Sequence, residues 1–67
     1  MIFTLNGKET NEHQSGLSVG SLLDALGFGG KPVLVELDGV ALFPREFEST
    51  EIVDGAKVEV IQIAAGG

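Results

Sequence analysis

Cysteine is absent from these 67 residues, which excludes a disulfide framework, a thiolate metal site and covalent catalysis through a thiol. Basic residues are scarce: four Lys and Arg stand against ten Asp and Glu, for a net charge of −6. A phosphate backbone or an anionic membrane is bound through Lys and Arg, so neither is expected as a partner. The acidity either suits a partner with a basic face or serves solubility alone. No apolar stretch approaches the roughly 20 residues that span a bilayer. No basic start leads into an apolar core as in a signal peptide, and the cytoplasm is the expected location. Histidine occurs once, at His13. No nucleophile or carboxylate stands at a spacing that would recruit it, so it reads as exposed filler.

What the chain does contain is a well-patterned core. Its 43% hydrophobic content suffices for one packed domain over 1–67 and argues against disorder. A domain this short buries only about 60% of its unfolded surface, so each apolar residue counts. Residues 1–5 alternate as a strand with Met1, Phe3 and Leu5 on one face. Asn6-Gly7 then signals a type I′ hairpin, returning through a polar edge strand over 8–13. Val19, Leu22, Leu23 and Leu26 fall at i, i+3, i+4 and i+7, predicting a helix over 19–26. Ser18 suits its N-cap, with Leu17 able to pack on Leu22 as a hydrophobic staple. Gly27 suits the left-handed C′ position, with Phe28 contacting Leu23 beyond it. So short a helix persists only by packing on a sheet. Gly29, Gly30, Lys31 and Pro32 form a loop without phosphate-loop spacing.

Val33, Val35 and Leu37 face inward on the next strand, and Asp38-Gly39 signals a second hairpin that runs until Pro44 stops the ladder. Residues 45–50 are polar and read as irregular. Ile52 and Val53 can plug the core beneath them, and Asp54-Gly55 turns the chain into a last strand over 57–63. The order predicts an α+β fold: a four- to five-stranded sheet with one helix packed on one face.

Chemistry is harder to find in this frame. Glu46, Glu48, Glu51 and Asp54 cluster without the spacing of a calcium loop and read as a solvated face. Arg45 either grips a partner's carboxylate bidentately or offsets these acids. A single-layer sheet is not expected to enclose a drug-sized pocket, so no metal site and no enzymatic activity are expected. That leaves surface and terminus. Ile61 and Ile63 have the opposite parity to Val58 and Val60, and Leu34 and Ile2 likewise point away from the core side. Together the four suggest an exposed apolar patch near the C-terminal end. Beyond them run Ala64, Ala65, Gly66 and Gly67, small residues that reach roughly 13 Å when extended at about 3.3 Å each. A patterned strand followed by such a segment predicts a flexible tail over 64–67 that threads into another protein's cleft. The alternative is an ordinary frayed end.

These segments together are similar to a known family. Leu5-Asn6-Gly7, the helix from Val19 to Gly27, Val33 through Gly39, Phe43-Pro44-Arg45, Asp54 through Ile61, and Gly66-Gly67 resemble the ThiS family of sulfur carriers. The likeness covers essentially the whole length. Two departures stand out: Ala65 where many relatives carry a third glycine, and Phe43 where the family usually has valine. The resemblance implies a ubiquitin-like β-grasp fold with the first and last strands parallel at the centre of a mixed sheet. It also implies a non-enzymatic role in thiamine thiazole biosynthesis, with no cofactor bound intrinsically. A ThiF-like adenylyltransferase would use ATP and Mg to adenylate Gly67. A persulfide donor would then yield a thiocarboxylate, whose sulfur a ThiG-like thiazole synthase would accept. The nearest alternatives are a MoaD-like small subunit of molybdopterin synthase and a ubiquitin-like modifier or interaction module.

Overall fold

Two dipeptides shape the sheet. Asn6 and Gly7 sit at φ 51° and 81°, and Asp38 and Gly39 at 50° and 82°. Both pairs occupy the positive-φ positions of a tight hairpin, where an L-residue other than Asn or Asp is strained. The first hairpin joins β1 (Phe3–Leu5) to β2 (Lys8–Thr10), and the second joins β3 (Val33–Leu37) to β4 (Val40–Leu42). Between them runs α1 (Val19–Ala25); after them come a 3-10 helix (Pro44–Ser49) and β5 (Lys57–Gln62). The structure, a computed structural model, describes residues 1–63. The predicted tail, 64–67, lies outside the described residues.

The five strands form one sheet in the order β2-β1-β5-β3-β4. β5 is central, parallel to β1 and antiparallel to β3. The polar β2 lies at an edge, as its composition predicts. α1 covers one face. Phe3, Val19, Leu22, Leu23, Val35, Ile52, Ala56, Val58 and Val60 are buried between helix and sheet.

The helix obeys its sequence signals at both ends. Ser21 donates its backbone N–H to Ser18 Oγ at 3.0 Å, the N-cap bond. Gly27 N–H reaches Asp24 O at 3.1 Å and Phe28 N–H reaches Leu23 O at 2.8 Å, the paired bonds of a Schellman motif. Leu26, predicted as the fourth member of the apolar stripe, is instead the C-cap and 37% exposed. The stripe ends one turn early because the chain leaves the helix there.

Other boundaries shift for similar reasons. β2 stops at Thr10 rather than His13, and β5 at Gln62 rather than Ile63. Of the polar 45–50 segment, residues 45–49 are not irregular but lie within the 3-10 helix, with Thr50 as its extended C-cap; the helix opens on Pro44 at a first-turn position, where its missing N–H costs nothing. Ile52 is fully buried as expected, whereas Val53 is exposed. Ile52 is seated by two backbone bonds, Val19 N–H to Thr50 O at 2.9 Å and Ile52 N–H to Leu17 O at 2.8 Å. These pin the helix start to the segment before β5.

Candidate functional site

The strand that precedes residues 64–67 is held along both of its edges. β5 has a neighbour on each side, and where each neighbouring strand gives out, a turn side chain takes over. Past the end of β1, Asn6 Oδ1 accepts the Val60 N–H at 2.8 Å, and Asn6 Nδ2 donates to Val60 O at 3.3 Å. On the opposite flank, Asp38 Oδ1 accepts the Lys57 N–H at 2.8 Å while Asp38 N–H donates to Lys57 O at the same distance. A third turn residue, Asp54, accepts the Ile2 N–H through Oδ1 at 2.7 Å. An amide or carboxylate side chain thus stands in for a missing strand residue, extending the hydrogen-bonded ladder past the strand ends. The sequence places Asn6 and Asp38 in hairpin turns, and Asp54 in a turn and in the acidic cluster with Glu46, Glu48 and Glu51. The same short polar side chain that tolerates positive φ also reaches a neighbouring backbone, a signal that was present in the sequence but unused. At the far end, Ile63 N–H donates to Pro32 O at 3.0 Å, carrying the pairing to the last described residue.

The sheet face away from α1 has an ordered surface. Leu34 and Ile61 are direct cross-strand partners. The β3–β4 register, in which Val35 faces Leu42, sets Phe43 beside Leu34 when continued by one residue. Phe43, Leu34 and Ile61 therefore form one apolar row across three strands, with Ile63 beside its inner end. Their exposures are 58%, 39%, 50% and 51%, unusual for such side chains clustered in a small domain. Phe43 was not predicted to belong to this surface. The next row holds Glu36 opposite Glu59, and Lys57 Nζ lies 3.7 Å from Glu59 Oε1.

Ile2 stands apart from the other three residues named with it. It is exposed, but Gly55 N–H bonds its carbonyl at 2.7 Å, which places it at the start of β5. Ile61 lies some 20 Å further along that strand at about 3.3 Å per residue. Parity alone assigns a face; only register assigns a height.

Arg45 stacks on the row's outer end, its Cζ 4.6 Å from the centre of the Phe43 ring, a cation–π contact. Among the described residues it makes no ion pair with Glu46, Glu48 or Glu51. His13 is half-buried rather than free filler: its ring packs against Phe3 at 5.7 Å between centroids, tilted by 38°. On the helix side, a groove of about 330 Å³ lies among Leu23, Phe28, Val33 and Phe47, with Asp24 and Glu48 at its rim. Among the described residues no three His, Asp or Glu side chains converge as metal ligands, and no helix is long and apolar enough to cross a membrane.

A helix laid across a mixed five-stranded sheet, with the first and last strands parallel at its centre, defines a ubiquitin-like β-grasp protein. The model of the ThiS family matches residues 2–67, and the chain belongs to that family. Two solved structures agree. A crystal structure of the thiamine biosynthesis protein ThiS from Geobacter metallireducens superposes with a TM-score of 0.82 at 38% identity, covering the whole of both chains. A solution structure of a thiamine biosynthesis protein from the same organism gives 0.80 at 36% identity, over all of this chain and 88% of that one. An uncharacterised protein of Porphyra purpurea, ycf40, is 38% identical over 63 residues, 94% of this chain and 87% of its own. Membership of this family makes the chain a small carrier protein rather than a catalyst.

Proposed function

We propose that this chain carries sulfur for thiazole formation in thiamine biosynthesis, with the Gly67 carboxylate as the group that is modified. The observation that carries the reading is the family match running from residue 2 to residue 67, on a domain whose central strand is also its last. The central strand β5 ends at Gln62, just before residues 64–67 in the sequence, and is hydrogen-bonded on both edges, which gives those residues a firmly held base.

The chemistry follows from the carboxylate. With a pKa of about 3.5 it is ionised and a poor electrophile, because attack at its carbon would have to expel oxide. A ThiF-like adenylyltransferase removes that obstacle. One Gly67 carboxylate oxygen attacks the α-phosphorus of Mg-ATP, pyrophosphate leaves, and the acyl-adenylate has AMP as leaving group. A protein-bound persulfide then attacks the acyl carbon through its terminal sulfur and AMP departs. A second thiol cleaves the resulting S–S bond, forming a disulfide with the donor's sulfur and releasing the Gly67 thiocarboxylate. A ThiG-like thiazole synthase accepts that sulfur. Ala64, Ala65 and Gly66 serve as thread: their small side chains let the terminus pass through narrow clefts. ATP and Mg belong to the activating enzyme, and the carrier needs no cofactor of its own. We place this cycle in the cytoplasm, away from nucleic acid and membrane, in keeping with the acidic charge.

The test is mass spectrometry of the chain isolated from its native host. A carrier shows the mass gain of sulfur replacing oxygen, localised to Gly67. A lysine-linked Gly-Gly remnant on other proteins, with no such gain, would make the chain a modifier instead.

A further inference from the structure

We infer that Arg45, clamped on Phe43, is a specificity-determining residue that receives a carboxylate from the enzyme activating the terminus. The inference deepens the carrier reading and rests on it. Arg45 is an exposed cation in a chain of net charge −6, and it forms no ion pair among the described residues although three glutamates lie within six positions of it. Its guanidinium is instead held 4.6 Å from the Phe43 ring. Stacking uses the flat face of the guanidinium and leaves its in-plane N–H donors free, and those donors match a carboxylate bidentately. The stack also fixes where the charge sits, so less side-chain freedom is lost when a partner arrives.

The position identifies the occupant. Four residues beyond Ile63 reach roughly 13 Å, so an enzyme that takes Gly67 into its cleft must cover the surface around Ile63. That surface is the row Ile61, Leu34 and Phe43, about 10 Å wide at roughly 4.8 Å per strand. An activating enzyme with an apolar ridge over the row places its next residue beside Arg45, and a carboxylate there completes the contact. In the next row along the strands Glu59 is paired with Lys57 while Glu36 makes no ion pair among the described residues, and Glu36 suits a cation in the same partner. A partner docked the wrong way round meets like charges at both margins, which sets the orientation.

The test is steady-state pyrophosphate exchange with the activating enzyme of the same host, using Arg45→Ala, Arg45→Lys and Phe43→Val. These positions are exposed, and thermal melting confirms that each variant folds. Loss of one charge-assisted contact predicts a KM for the carrier raised about tenfold in Arg45→Ala, with kcat within about twofold. Added salt narrows the gap between wild type and variant. Arg45→Lys recovers only part of the loss, since an ammonium lacks the planar stack, and Phe43→Val loses part of the same energy. An unshifted KM in Arg45→Ala, full recovery by lysine, or a wild-type dimer in sedimentation that buries this face would overturn the assignment. No exchange with the wild-type chain would overturn both this inference and the carrier reading; normal wild-type exchange with an unshifted Arg45→Ala overturns the inference alone.

Discussion

Asn6 shows how one side chain serves two scales at once. Its backbone adopts the positive φ of a hairpin turn while its amide bonds both the N–H and the carbonyl of Val60. Replacement by glycine keeps the turn and removes only the bridging. We expect Asn6→Gly to lose about 1 kcal/mol, the net worth of a part-buried hydrogen bond, with faster hydrogen exchange at Val60 as the specific readout. Equal exchange rates would show that water substitutes for the amide. Leu23 represents the other kind of residue, a core side chain only 4% exposed. Leu23→Ala should cost roughly 2–5 kcal/mol in chemical denaturation, and an unchanged midpoint would mean that the helix packs on another face.

The elements follow from pattern wherever burial alone decides them. Alternation in β3 and β5, the α1 stripe through Leu23 and the capping residues at both its ends were legible, because each reflects a local rule or a single buried face. Register was not. It decides that Leu34 meets Ile61 while Ile2 lies at the far end of β5, and it arises from pairing between residues distant in sequence. Parallel pairing of β1 with β5 was expected only through family resemblance, since no local signal distinguishes it. Of the apolar surface, Leu34, Ile61 and Ile63 were visible from parity. Phe43 was hidden because Pro44 marks it as a strand end rather than a strand residue. Close packing between elements was equally invisible. Gly20 lies in α1 where an added Cβ would stand 2.9 Å from Glu48 Oε1 and 3.6 Å from Glu48 Cα. The nearer atom is the free end of an exposed side chain and can swing away, whereas the backbone is already at ordinary contact. Gly20→Ala should therefore gain helix propensity of up to about 1 kcal/mol, read as a raised melting temperature. A lowered one would show that the 3-10 helix does not yield.

At the scale of the whole molecule, the carrier proposal assigns stability to the domain and reactivity to Gly67. Among the described residues the buried core runs from Phe3 to Val60, and β5 is held by its ladders with β1 and β3 and by turn side chains. Stability and reactivity can then be changed independently, since a core variant should weaken the fold and a tail variant should abolish modification alone. Deletion of Gly67 tests this division most directly. With the host's activating enzyme and Mg-ATP, the full chain should form the acyl-adenylate, detected by pyrophosphate exchange. The chain lacking Gly67 should form none while melting at the same temperature. Adenylate formation by the shortened chain, or a melting temperature lowered by several degrees, would contradict the account.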